Sequence, residues 1–228
     1  MRIDVAFTPA EEGRAEVGVV VDVMRATSTI AQALASGYER VLCCAEVGEA
    51  RRLKEEIGDA VLGGERSAVR IEGFDLGASP REFLEPKAST AILSTTNGTR
   101  TILEAVSRCE EVLLGSLLNL GAVADAVRAR GLDAVVLCAG FQGAFAIDDA
   151  YCAGRIVRGL EGATPTDAAI ASGVIADRFP RPIDGINART YGPPGLEADI
   201  DWCSRVDTVT TVPRFSRMVG PAAEIVSS

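Results

Sequence analysis

The chain has 228 residues, 47% hydrophobic and 24% charged, which suits one large α/β domain with a sizeable core. A formal charge of −9 with no basic run excludes nucleic acid and an anionic membrane surface as expected partners, so an anionic ligand must be captured locally by arginines, helix ends or a metal. Histidine is absent, which removes Ser-His-Asp hydrolysis, phosphohistidine chemistry and His-rich zinc sites and leaves carboxylates, a thiol, metal-bound water, Lys or Tyr for acid–base work.

IDVAF (Ile3 to Phe7) alternates as a short strand, and TPAEEGRAE is a polar loop. GVVVDVMRATSTIAQAL (Gly18 to Leu34) follows, and the rest of the chain is organised around it. Four apolar β-formers run into Asp22, Arg25 and a Thr/Ser cluster that opens a helix, with Thr27 or Ser28 as its cap and Gly37 beyond its end. A strand-end carboxylate able to hold a cation and a helix start able to hold an oxyanion thus arrive together, a combination suited to a phosphorylated substrate with a divalent metal.

RVLCCA (Arg40 to Ala45) reads as a buried strand, Val47 to Ile57 as a helix stopped by Gly58, and DAVLGGE as a strand delivering Glu65 and Arg66. SAVRIEGFDLGASPREF, with Asp75, Ser79 and Arg81, is rich in Gly and Pro and reads as a functional loop. STAILSTTNGTRTILEAV (Ser89 to Val106) then restarts the pattern. Thr27, Thr29, Ile30 and Ala33 align with Thr99, Thr101, Ile102 and Ala105, and ERVL and DAV recur at offsets of 71 to 74 residues. We read an internal pseudo-duplication, with halves near 18–88 and 89–160 and C-terminal helices with an edge strand over 161–228.

In Thr95–Thr96–Asn97–Gly98–Thr99–Arg100, hydroxyls, an amide, a glycine and a guanidinium share a turn that opens a helix. This is either an oxyanion cradle or a well-capped turn with a solvated arginine. Ser116 and Asn119 follow the next strand, and Asn119 caps the helix to Gly131. DAVVLCAG is a strand whose Cys138 stands at the end, but the loop after it lacks the Cys-x5-Arg cradle of cysteine phosphatases. Asp148 and Asp149 open a helix, where the dipole alone favours acids. TPTDAAIASGVIADRF reads as a helix capped by Thr164 with Pro165 first, FPRPIDGINARTYGPPG as a loop, EADIDWCSRV as a short helix, and TVTTVPRF as an edge strand ending at Pro213.

The alternation of continuous apolar strands with helices predicts a three-layer α/β/α fold with a mainly parallel or mixed sheet and ligands at the strand carboxyl ends. The six cysteines contain no C-x-x-C pair and read as reduced, buried thiols. No run approaches a membrane span and no signal-peptide pattern opens the chain, so a cytoplasmic location is expected.

VVVDVMRATSTI, GGER, EGFDLGASPREF, TTNGTR, GSLLN, CAGFQGAFAIDDAYCAG and DIDWCSRVDTVTTVPRF resemble, in order and over nearly the whole chain, the 2-phosphosulfolactate phosphatase family. The resemblance implies a Mg²⁺-dependent phosphomonoesterase that releases phosphate and sulfolactate from a small acid bearing carboxylate and sulfonate. It is known from coenzyme M biosynthesis, although members occur in organisms that make no coenzyme M. Where members often carry a His-containing segment before the last acidic helix, this chain has INARTYGPPG.

On this reading Asp22, Arg25, Glu65 and Asp149 form the catalytic set, and Mg²⁺ is drawn from Asp22, Glu65, Asp75 and Asp149. Thr27, Ser28, Arg66, Arg81, Thr95, Thr96, Asn97, Gly98, Thr99, Arg100, Ser116 and Asn119 contact substrate. The expected partner is a small anionic phosphorylated substrate, and a homodimer is compatible with the sequence. Direct attack by water is the expected route, with an aspartyl-phosphate on Asp22 as runner-up. The second acid typical of haloacid-dehalogenase phosphatases is replaced by Met24. Relaxed choice among phospho-hydroxy acids, or a non-catalytic metabolite-binding module, are the alternatives.

Overall fold

A computed structural model describes residues 1–228. Eleven strands form one mixed sheet: β1 (Arg2–Ala6), β2 (Val17–Val21), β3 (Arg40–Cys43), β4 (Ala60–Arg66), β5 (Val69–Arg70), β6 (Thr90–Ser94), β7 (Glu111–Gly115), β8 (Ala134–Cys138), β9 (Thr164–Pro165), β10 (Pro213–Val219) and β11 (Ala222–Ser227). Eight helices accompany them: α1 (Ala26–Ser36), α2 (Val47–Ile57), α3 (Gly98–Arg108), α4 (Leu120–Arg130), α5 (Ile147–Gly159), α6 (Asp167–Arg178), α7 (Pro182–Asn187) and α8 (Glu197–Cys203). No helix is long and apolar enough to cross a membrane.

The sheet order is β5-β4-β6-β3-β11-β10-β7-β2-β8-β1-β9. β6 lies parallel between β4 and β3, and β2 lies parallel between β7 and β8. The unit β2-α1-β3-α2-β4 and the unit β6-α3-β7-α4-β8 therefore each lend their first strand to the other, an interlocking that local sequence comparison cannot reveal. Every residue of β2, β6 and β8 is buried, as strands covered on both faces require. α1 and α3 lie on one face, where Ile30, Leu34, Ile102 and Ala105 join Val20, Leu93, Leu114 and Leu137 in the core. On the other face α4, α5 and α6 cover β1, β2 and β8, while α2 covers β3, β4 and β6.

The final strand pair corrects the edge-strand expectation. The strand does not end at Pro213 but begins there, and β10 and β11 form an antiparallel hairpin between β7 and β3, in the middle of the sheet. Proline at a strand's first residue costs no ladder bond, so it marks a start as readily as an edge. The three antiparallel steps through the hairpin reverse one half of the sheet against the other. The carboxyl ends of β2 and β6 nevertheless meet, since Gly98 after β6 stands against Asp22 and Ala26 after β2.

Other local readings also shift. Thr164 and Pro165 are not a helix start but pair with β1 as an edge strand; Thr166 caps α6, its hydroxyl accepting from the Ala169 amide at 3.2 Å and donating to Asp4 at 2.5 Å. The loop after Phe179 contains α7, with Pro182 at its first position. Gly37 closes α1 in the left-handed region (φ 110°), and Gly58 follows α2 at φ 75°. All six cysteines are free thiols.

Candidate active site

A cleft of about 570 Å³ opens where the β2–α1 and β6–α3 corners meet. Asp22, Arg25 and Ala26 come from the first corner and Thr95, Thr96 and Asn97 from the second. Glu65 and Ala68 line it from the β4–β5 turn, Phe141 and Gln142 from the β8–α5 loop, and Arg189, Tyr191 and Leu196 from the segment before α8.

Both corners are built alike. The Thr27 hydroxyl accepts from the Asp22 amide (3.1 Å) and donates to the Asp22 carbonyl (2.9 Å). The Thr99 hydroxyl does the same at Thr95 (3.3 and 3.0 Å). Neither helix has an acid in its first turn, but each start is partly capped from the strand end before it: the Ala26 amide donates to Asp22 Oδ1 and the Thr27 amide to the Asp22 carbonyl, while at α3 the Thr99 amide donates to the Thr95 hydroxyl at 3.1 Å. The two starts touch: a Cβ built on Gly98 would stand 2.5 Å from the Ala26 Cβ and would overlap Asp22 Oδ2.

Asp22 is only 8% exposed. Its Oδ1 accepts from the Ala26 amide at 3.3 Å, and Oδ2 has no protein partner. Burial, then the nearby Glu65 charge, push its carboxyl up to about 7, while the Ala26 amide, and more weakly Arg25, hold it back. Glu65 lines the cleft but spends its oxygens on the backbone: Oε1 accepts from the Thr96 amide (2.7 Å), Oε2 from the Ala68 amide (2.6 Å) and the Thr96 hydroxyl (3.1 Å). Arg25 donates to Asp199 (2.7 Å) and to the Ala68 carbonyl (3.1 Å), and Asp199 also accepts from Ser79 (2.5 Å).

Behind the cleft lie two buried acids. Asp149 accepts from the amides of Val23 (2.9 Å) and Gly140 (3.0 Å), tying the ends of β2 and β8 together, so both its oxygens are taken. Burial first, then Asp148 and Asp22, raise its carboxyl far above the usual range. Asp148 is fully buried; its Oδ1 accepts from the Tyr191 hydroxyl at 2.5 Å and its Oδ2 has no partner.

The structure sends several expected site residues elsewhere. Arg66 donates to the carbonyls of Ala45, Glu65 and Ser94 and to the Ser94 hydroxyl, so its guanidinium braces the β4–β6 strand ends and is not among the residues lining the cleft. Arg100 points outward to Glu46 with its side chain 60% exposed. Asp75 accepts from Lys54 (2.6 Å) and the Leu62 amide (2.7 Å), away from the cleft. Ser116 and Asn119 bond each other, and Asn119 also donates to the carbonyls of Leu114 and Thr211, far from the lining. Ser28 donates to the Val23 carbonyl at 2.8 Å, and with Thr27 and Thr99 shapes the corners from behind. Arg81 lies in an adjoining surface basin, 3.7 Å from Asp199. Burial pushes the Cys138 thiol far up, which removes it as a nucleophile. Arg189 and Tyr191 were not foreseen; the only signal was an arginine and a tyrosine together inside a Gly/Pro-rich loop.

No group of three or more Cys, Asp and Glu side chains forms a metal cage. Mg²⁺ is commonly held by one or two carboxylates together with substrate phosphate and water, and the unpartnered Asp22 Oδ2 fits that requirement.

A protonatable carboxylate against two helix starts, in a cleft at the strand ends of an α/β sheet, is an arrangement suited to holding a small anion. The profile of the 2-phosphosulpholactate phosphatase family matches residues 6–217. Three relatives carry the name probable 2-phosphosulfolactate phosphatase. The one from Carboxydothermus hydrogenoformans is 38% identical over 93% of this chain and 92% of its own, and that from Clostridium acetobutylicum 36% over 95% and 98%. The one from Gloeobacter violaceus is 37% identical over 94% and 95%. The chain belongs to the 2-phosphosulfolactate phosphatase family, a family of phosphoric monoester hydrolases.

Proposed function

We propose that this chain is a Mg²⁺-dependent, cytoplasmic phosphatase that hydrolyses 2-phosphosulfolactate to sulfolactate and phosphate. Family membership supports the reaction class. The observation that carries the residue assignment is the contact between Asp22, with its free Oδ2, and the start of α3 at Gly98.

Asp22 would hold Mg²⁺ through Oδ2, while the Ala26 amide fixes the carboxylate through Oδ1. When bound, the ion neutralises phosphoryl oxygens and polarises the phosphorus centre. The starts of α1 and α3 direct positive dipole ends at the remaining phosphoryl oxygens, and Arg25 adds a full charge. Phosphoryl transfer through a loose transition state asks mainly for such positioning and charge compensation, so an in-line water needs little help from a strong base. Glu65 keeps Thr96 and Ala68 in place in the wall of the cleft.

The test is phosphate release from 2-phosphosulfolactate with Mg²⁺, its loss with chelator, and its loss in Asp22→Asn. Hydrolysis in ¹⁸O water should label phosphate in a single turnover and leave Asp22 unlabelled. Label in the Asp22 carboxylate would establish the aspartyl-phosphate route instead.

A further inference from the structure

We infer that Arg189 is the residue that selects the substrate, by gripping an acidic group that is not transferred, the carboxylate or the sulfonate. The inference rests on the proposed reaction for its ligand, but its argument comes from how the cations of the cleft are spent.

Two guanidinium groups line the cleft, those of Arg25 and Arg189. Arg25 is committed through both terminal nitrogens, to Asp199 and to the Ala68 carbonyl. Arg189 is held only through Nη1, which donates to the carbonyl of Tyr191, and its Nε is buried with no partner. A buried N–H without an acceptor costs free energy that a ligand oxyanion would recover, and a guanidinium edge meets a carboxylate or sulfonate in two parallel hydrogen bonds.

The side chain is also prepared for the task. Tyr191 carries the carbonyl that anchors Arg189, its ring stacks on Phe141 with centroids 4.1 Å apart, and its hydroxyl is fixed to Asp148. Gly192, at φ 100°, turns the chain immediately after Tyr191 in a conformation other residues rarely adopt. The guanidinium is therefore pre-positioned by a rigid aromatic pair and a glycine turn, not left on a free stem.

The two cations serve different ends of the cleft. Arg25 belongs to the β2–α1 corner that also carries Asp22 and is tied to Asp199 and Ala68, whereas Arg189 is anchored on Tyr191, whose ring lies on Phe141 and whose hydroxyl donates to Asp148. Arg25 thus sits with the carboxylate beside the helix starts, and Arg189 lines the same cleft from a different segment, the one before α8. Of the other arginines expected to compensate the ligand's charge, Arg66 and Arg100 are spent elsewhere and Arg81 lies in the adjoining basin beside Asp199, so within the cleft the second acidic group has Arg189 to meet it.

Equilibrium titration with sulfolactate and, separately, with inorganic phosphate tests this in the wild-type chain, Arg189→Gln and Arg189→Lys. Arg189→Gln should weaken sulfolactate about 10- to 100-fold, the range for one lost charged hydrogen bond, and weaken phosphate much less. Arg189→Lys should fall between, since it restores charge without the planar fork. Lactate and 2-hydroxyethanesulfonate decide which group is gripped, by which of the two loses affinity in Arg189→Gln. Unchanged sulfolactate affinity, equal weakening of both ligands, or absence of sulfolactate binding to the wild type overturns the inference. Should Arg189→Gln unfold, Arg189→Gly titrated with and without added guanidinium replaces it, and the inference requires guanidinium to restore sulfolactate affinity. Arg189-dependent sulfolactate binding in a chain that releases no phosphate would refute the proposed reaction while leaving the subsite standing.

Discussion

Gly98 and Asp22 approach so closely that a single added methyl on Gly98 would occupy the space of Asp22 Oδ2, and it would also stand 2.5 Å from Ala26. Ala26 and Gly98 are equivalent positions of the two corners, each the first residue of its helix. Gly98→Ala must therefore drive α1 and α3 apart at the point where the phosphoryl group is expected. Misplacement by about 1 Å can cost about 100-fold in rate, and overpacking costs about 1–3 kcal/mol. Phosphate release should fall by about two orders of magnitude while circular dichroism still reports a folded protein. Gly48→Ala, in a helix with nothing within 4 Å of the new methyl, should raise the melting temperature and leave turnover alone.

Stability should fall as pH rises from about 4 toward 7. Asp22 keeps its proton in the fold up to about 7, against the model-peptide value of 3.8 in the unfolded chain. In that window the native state binds more protons than the unfolded one, so unfolding becomes easier with increasing pH. Asp148 and Asp149 are shifted the same way and add to the slope. Asp22→Asn should flatten it and melt above the wild type at about pH 8, while losing phosphatase activity; thermal melts across the range would show this. An identical slope in the variant would refute the assignment of Asp22.

Magnesium should reverse the same cost. Added to the wild type near neutral pH, Mg²⁺ should raise the melting temperature by mass action, and chelator should remove the gain. Asp22→Asn should show no such rise. A Mg²⁺-dependent rise that survives in this variant would place the ion elsewhere.

Asn119 should behave as a structural residue. Truncation to Ala strips the Ser116 amide and the carbonyls of Leu114 and Thr211 of a buried partner, each worth about 1–3 kcal/mol. Denaturant unfolding should show a loss of several kcal/mol, while KM measured on the folded protein stays near the wild-type value. A raised KM with normal stability would return Asn119 to the substrate.

The strand-and-helix alternation and the paired corners were legible because each is a local pattern: apolar runs such as VGVVV, then a threonine positioned to bind the strand end. Asp22 stood out because an acid that interrupts a buried run has few places to go. The sequence shows that Arg66, Arg100 and Asn119 can donate hydrogen bonds, but not that three of the acceptors for Arg66 would be backbone carbonyls from three separate strand ends. Arg189 was hidden for a related reason, since a Gly/Pro-rich loop has no periodicity from which to infer the direction of a side chain. The placement of β10 and β11 depends on partners far away in the chain, and no local propensity distinguishes an interior hairpin from an edge one.

That hairpin imposes an order on the making of the molecule. β10 and β11 follow in sequence every strand they join, so synthesis delivers them after β3 and β7, whose two halves of the sheet they connect. Until they emerge, β3 and β7 each present an unpaired flank to other nascent chains, and contacts between residues near 42 and near 224 are slow to form because the loop between them is long. The nascent chain should therefore depend on chaperones until the hairpin has emerged, then join the two halves of its sheet in one late step.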